Sequence, residues 1–244
     1  SLRGNLDTRL RKLDEGQYAI NNALIEWVTL ANVVNAGGDI SDEAGNPTIN
    51  TDAMRSVVEQ LKSVADAGLM SPYGEDGYAM FQSGDVLFST DGTWTSTAHG
   101  SVEGLNFGVT NIYSVTPDKF TNRSSAHLFS LLNNEDRTDE KEQGVADFLS
   151  WMRENSLDWA GAGQIVASKE VFESEEYQQY PQSFFTSSDV EKEASYIFDY
   201  KYYSYVESAL GTVLSDMIYG NITIDEGLDQ AQKTVEDLIA ENAS

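Results

Sequence analysis

The chain alternates stretches of helical hydrophobic period with short apolar runs bounded by turn residues, the pattern of an α/β fold. Leu6, Leu10 and Leu13 share one face of a helix expected over about 6–14, with Asn5 as its cap and Gly16 past its end. A second helix is expected over about 23–35, with Leu24, Trp27, Val28 and Ala31 on one stripe and Gly37-Gly38 as its stop. Asp42 to Thr48 is rich in turn residues. Thr51 then caps a strongly amphipathic helix in which Met54, Val57, Val58, Leu61 and Val64 repeat, and Gly68 stands where a left-handed residue closes the last turn. Residues 86–89 read as a buried strand ending at Asp91-Gly92, with 107–112 and 127–132 as further strands. Asp139 and Glu140 sit in the first turn of another helix, whose apolar face is Val145, Phe148, Leu149 and Met152. The stretch 173–193 is polar and Tyr-rich and shows no clear period. Thr223 and Glu226 form a capping box, and Leu228, Ala231, Val235 and Leu238 supply the buried stripe of the last helix.

Composition narrows the picture. The 244 residues suffice for one large or two small domains, and 40% hydrophobic content supports a packed core. Forty Asp and Glu against fifteen Lys and Arg give a net charge of −25. A surface of that sign repels phosphate backbones and anionic lipid, so nucleic acid is not an expected partner. The same acidity suits a protein kept soluble in salt or outside a cell, and is equally a plain solvated surface. Cysteine is absent, which excludes disulfides, thiolate nucleophiles and thiolate-bound metal. No apolar run reaches the length of a membrane span. Asn-x-Ser/Thr sequons occur at Asn122, Asn221 and Asn242.

Candidate chemistry is sparse. His99 and His127 stand apart in the sequence, with no paired metal-ligand spacing around them, and the P-loop, dinucleotide and nucleophile-elbow motifs are missing. No cofactor, metal or catalytic centre is therefore expected, and no pair among forty carboxylates is singled out for glycoside cleavage. The most informative stretch is "GDVLFSTDGTWTS", residues 84–96. A buried strand runs into an Asp-Gly turn and then Trp94, well placed to offer a ring face to a ligand. Sugar rings carry apolar C–H faces that stack on aromatics while amides and carboxylates take the hydroxyls. Core filling is the alternative role for Trp94.

From about Asn21 onward the chain resembles the later part of a family 1 extracellular solute-binding protein, the maltose-binding-protein-like group of ABC transporters. The resemblance rests on ordered segments: "WVTLANVVNAGGDISDEAGNPTINTDAMRSVVEQLKSVADAGL", "AMFQSGDVLFSTDGTW", "FGVTNIYSVTP", "SSAHLFSLLN", "VADFLSWMREN" and "GAGQIVASKEVFES". It implies a type II periplasmic-binding-protein fold, mostly the C-terminal lobe with an excursion into the other, that binds sugar without catalysis. It implies an oligosaccharide or other small sugar as ligand, a membrane permease as partner, and an extracellular or periplasmic parent, in some cases lipid-anchored. The family's Gly-x-Trp position matches Gly92-Thr93-Trp94. Trp27 and Asn22 fall where the family places further contacts, and His127 and Gln164 on segments that line its cleft; core or surface roles stay open for these four.

Residues 1–20, "SLRGNLDTRLRKLDEGQYAI", instead resemble a segment of hydroxymethylbilane synthase (porphobilinogen deaminase), whose arginines grip carboxylates. Arg3 and Arg9 occupy the matching positions and would bind anionic groups. That enzyme tethers its cofactor through a cysteine, which this chain lacks. The reading is of a chimera: a foreign unit at 1–20 within a main lobe of 1–125 plus 175–244, and a remnant of the second lobe at 126–174. Such a chimera with no retained function, and less readily a tetrapyrrole-synthesis enzyme fragment, are the alternatives to sugar binding. The apolar side chains of 126–174 are expected either to fold back on the main lobe or to drive self-association.

Overall fold

A computed structural model describes residues 18–116, 119–189 and 193–242. The helix expected over 6–14, with Arg3 and Arg9, lies outside the described residues. In chain order the elements are β1 (Tyr18–Ile20), α1 (Ile25–Asn35), α2 (Asp52–Asp66), α3 (Gly77–Ser83), β2 (Val86–Phe88), a 3-10 turn (Thr93–Thr95), α4 (Ser96–Gly100), β3 (Asn122–Arg123), α5 (Asp139–Glu154), α6 (Ser156–Gly161), α7 (Lys169–Phe172), β4 (Ser195–Tyr196), α8 (Tyr203–Ile218) and α9 (Ile224–Glu241).

The chain divides into two compact units. The first comprises 1–91, 111–124 and 193–244, and the second 92–110 and 125–192. This division groups 92–110 and 175–192 with the excursion, where the sequence reading assigned them to the main lobe.

In the first unit β1 pairs in parallel with β2, Tyr18 opposite Val86 and Ile20 opposite Phe88, and bridges in parallel to Met70 on its other side. β3 and β4 form a second short parallel pair. Helices carry the core. α2 begins as its sequence dictates: the Thr51 side chain accepts from the Met54 N–H, Met54, Val57, Val58 and Leu61 are buried, and Gly68 takes the left-handed conformation at φ +71°. α9 opens with the Thr223–Glu226 capping box and buries Leu228, Ala231 and Val235. α1 departs from the expected stripe. Ile25, Val28, Leu30, Ala31 and Val33 are all buried together with Thr29, Asn32 and Asn35, so the helix is enclosed nearly all round. α8 was not foreseen at all. Its start has no side-chain cap, and its apolar residues, among them Val206, Leu210, Val213, Leu214 and Met217, spread too widely for a clean one-faced stripe.

The strand expected over 107–112 does not form. From 111 onward its place is taken by side-chain amides. Buried Asn32 donates to the Tyr113 carbonyl (3.1 Å) and accepts from the Val115 N–H (2.7 Å), while Asn122 accepts from the Ile112 N–H (2.9 Å). Asn122 is itself buried and bonded to Asn111, so its sequon is closed to modification in the folded chain.

The second unit is helical among its described residues. Ala160, Val166 and Tyr177 form its small core, with Leu157, Val171, Phe172 and Tyr180 against them. α5 is capped by Thr138 and carries Asp139, Glu140 and Glu142 in its first turn, but buries none of its residues. The strand expected over 127–132 is absent, and Leu128, Phe129, Leu131 and Leu132 stand exposed. Folding back to bury this segment is therefore not realised.

Candidate functional site

β1, the Met70 bridge and β2 are mutually parallel, so the chain leaves all three at the same end, the end at which open α/β sheets hold ligands. The residues that follow are Asn21, Asn22, Ser71, Ser89 and Thr90, and they are knitted together. The Asn21 side chain donates to Ser89 Oγ (2.6 Å) and accepts from the Thr90 N–H (3.2 Å). The Asn22 N–H donates to Ser71 Oγ (3.2 Å), whose hydroxyl reaches Asn22 Oδ1 (3.3 Å). The Tyr219 hydroxyl donates to the Ser71 carbonyl, and Tyr73, half exposed at 52%, packs edge-to-face on Tyr219 at 5.4 Å. Burial raises the Tyr219 pKa, so the phenol is a neutral donor at physiological pH. Gly77 is required here: a Cβ would collide with the Asn21 side chain. Leu24, just beyond, adopts φ +48°, a left-handed conformation that a bulky residue takes only when its surroundings impose it.

Trp27 lies on α1 in the same unit, but its ring is engaged. The Arg123 guanidinium stacks over it at 4.3 Å and over Tyr203 at 5.2 Å. Arg123 also forks onto both oxygens of Glu207 (3.0 and 3.1 Å) and donates to the Tyr203 hydroxyl (2.6 Å), and the Trp27 indole N–H donates to Glu207. Burial raises the pKa of neighbouring Glu26, with Glu207 adding to the rise. This closed network anchors β3 to α1 and α8 and gives Trp27 a structural partner on one face.

In the second unit Trp94 is 49% exposed. Its indole folds back over Gly92, where any Cβ would overlap the ring. Gly163, at φ +90°, lies against the Thr93–Trp94 backbone so closely that a side chain would not fit. Thr97 Oγ1 donates to the Gly161 carbonyl (2.9 Å) and ties the Trp94 turn to α6. Two glycines thus fix an indole that keeps half its surface in solvent. Gln164 follows Gly163 and so is brought beside this turn; it is half-buried, and its carbonyl accepts from Gln182 (3.3 Å). His127 is exposed and packs edge-to-face on Trp159 at 6.3 Å.

The structure therefore brings together Gly92, Trp94 and the Gln164 segment in one unit, and places Asn22 at the strand ends of the other. Sequence reading missed Asn21, Ser71, Tyr73 and Tyr219. For Asn21 and Ser71, as for Ser89, the signal was position, directly after Ile20, Met70 and Phe88, which becomes visible only once the three segments are known to be parallel; Tyr73 and Tyr219 carried no such signal. No group of three or more potential metal ligands occurs among the described residues. In the first unit the Tyr73 hydroxyl donates to Asp216 (2.8 Å) and Ser89 Oγ to Asp91 (2.6 Å), so the cluster is one of hydrogen-bonding amides, hydroxyls and phenols backed by carboxylates.

Residues 7–186 match the model of the bacterial extracellular solute-binding proteins. The match takes in 7–20, so the foreign unit expected there falls largely inside one family's footprint and the chimera reading gains no support. No match is found among curated proteins. Solved structures share the fold at low identity. A sugar transporter from Arthrobacter chlorophenolicus A6 with bound laminaribiose aligns over 95% of this chain and 63% of its own, at 13% identity and a TM-score of 0.74. The maltose/maltodextrin-binding domain MalE from Bdellovibrio bacteriovorus bound to maltotriose aligns over 92% and 61%, at 15% and 0.71. A cyclic alpha-maltosyl-1,6-maltose binding protein from Arthrobacter globiformis aligns over 94% and 62%, at 18% and 0.68. This chain thus spans about three fifths of their length and has the type II periplasmic-binding-protein fold in part. By its match over residues 7–186, the chain belongs to the bacterial extracellular solute-binding proteins.

Proposed function

We propose that the chain is the sugar-binding portion of an ABC-transporter solute-binding protein, acting by binding alone and delivering its ligand to a membrane permease. The observation that carries the reading is the Trp94 platform: a half-exposed indole held by Gly92 and Gly163 rather than packed into the small core of its unit. An aromatic face so fixed stacks on a pyranose ring without an ordering cost. Asn22, with Tyr73 beside Tyr219, offers hydroxyl-binding groups on the first unit. The three similar structures contain or are named for glucose oligosaccharides, which makes that class the natural probe.

Tryptophan fluorescence during titration with maltose, maltotriose and laminaribiose tests the reading. Saturable quenching or enhancement is expected at millimolar sugar, abolished in Trp94→Ala and retained in Trp159→Phe. Folded protein that responds to none of a broad sugar panel would refute it.

A further inference from the structure

We propose that Gln182 is a positioning residue for the Trp94 indole, acting through Gly163. Gln182 is fully buried in the second unit, in the 3-10 turn Pro181–Thr186. A buried amide is costly unless its hydrogen bonds are made. Here they are made to one short loop. Gln182 Nε2 donates to the Ala160 carbonyl (2.7 Å) and to the Gln164 carbonyl (3.3 Å). Gln182 Oε1 meets no donor among the described residues, so the side chain is held by its nitrogen alone. The two carbonyls lie in the last turn of α6 and just beyond its end, where a helix has no N–H of its own to offer them.

One amide thus spans both ends of the loop 160–164, and Gly163 lies between them. The Gly163 N–H donates back to the Ala160 carbonyl (2.9 Å) and tightens the loop. Gly163 in turn presses on the Trp94 turn: a Cβ there would stand 2.3 Å from the Thr93 carbonyl oxygen and 3.0 Å from Trp94 Cα. Thr97 holds the same loop at the Gly161 carbonyl. The tie therefore runs from Gln182 to the loop, from the loop to the Thr93–Trp94 backbone, and from there to the indole. Close contacts fall off steeply, and a gap of about 1 Å forfeits up to half of the attraction. An apolar side chain of the same volume would fill the place beside Ala160, Val166 and Tyr177 but leave the loop carbonyls unheld. That the positioned indole serves sugar binding rests on the function proposed above.

Fluorine NMR of the chain labelled with 5-fluorotryptophan tests this, the Trp94 signal being assigned by Trp94→Phe. Gln182→Met keeps the volume and removes the donor. It should move or broaden the Trp94 signal, leave those of Trp27 and Trp151 in place, and raise the dissociation constant for maltotriose about tenfold. Gln182→Glu should do the same when ionised. Its Trp94 signal should return toward that of the unaltered protein as pH falls and the carboxyl takes up a proton it can donate. The unaltered protein and Gln182→Met, which keep every other titratable group, are the controls at each pH. A Trp94 signal indifferent to Gln182→Met overturns the proposal, and so does a Gln182→Glu signal that follows pH no differently from the controls. If the Trp94 signal follows Gln182 but the unaltered protein binds no sugar, the positioning stands and the sugar reading falls. The unaltered protein supplies a test that no variant's folding can disturb: its Gln182 side-chain amide protons should exchange slowly, and free exchange with solvent overturns the proposal.

Discussion

The Arg123–Glu207 pair offers a sharp energetic test of the first unit. The Arg123 side chain is 9% exposed and Glu207 24%, and the guanidinium is held by two carboxylate oxygens, a tyrosine hydroxyl and two ring faces. Breaking a buried pair by removing one partner costs about 3–5 kcal/mol, because the survivor keeps a desolvated charge. Glu207 retains some access to water, so about 2–3 kcal/mol is expected for Arg123→Met. Glu207→Gln keeps an oxygen for the Trp27 indole but leaves Arg123 without a counter-charge, and should cost about the same. For a chain of this size, that corresponds to a fall in Tm of roughly 4–12 °C.

The decisive quantity is the double variant. If the pair acts as a unit, Arg123→Met/Glu207→Gln should lose little more than the worse single change, giving a coupling of about 1–2 kcal/mol. Urea unfolding should be followed by both far-UV circular dichroism and tryptophan fluorescence, since two compact units need not unfold together. Hydrogen exchange in α1 and α8 ties the loss to the network. The single-variant losses should also persist at 1 M salt, because a pair this enclosed is weakly screened. Losses that add within about 0.5 kcal/mol, or that vanish in salt, would show that the pair behaves like a surface contact and would refute the reasoning.

Other consequences follow from the same structure. Burial raises the Glu26 pKa above its ordinary 4.5, so the fold favours the protonated form; that stabilisation is full below 4.5 and is lost as pH rises through the raised value. Glu26→Gln should therefore stabilise the protein at pH 7, with the difference disappearing below about pH 4.5 in parallel melts. Gly92→Ala should displace the Trp94 ring and change its emission and any sugar response while leaving far-UV circular dichroism unaltered. Asn32→Leu should cost about 2–4 kcal/mol in denaturant unfolding, since it strands the Tyr113 carbonyl and the Val115 N–H without partners. Thr223→Ala should cost about 1 kcal/mol, read as faster exchange at the start of α9.

The elements legible in the sequence are those whose information is local. Thr51 with Gly68, and Thr223 with Glu226, announce α2 and α9 because a cap is a bond between neighbours and a half-buried helix shows its stripe. α8 and the full enclosure of α1 were illegible for the opposite reason: a helix surrounded by others loses the polar face that makes its period visible. The absent strands make the same point. Residues 107–112 and 127–132 both carry strand-forming side chains, but a strand is a relation between segments. In one case buried amides of Asn32 and Asn122 supply the partners, and in the other no partner is present among the described residues. The candidate site divides along that line too. Trp94 could be read from the sequence because its glycine turn is local, whereas Asn21 and Ser71 could not, because they converge only when three parallel segments end together, nor Tyr219, which reaches Ser71 from the end of α8. Each unit carries its own kind: a glycine-held indole in the second, and a polar cluster gathered from distant positions in the first. The local half is the half that a sequence announces.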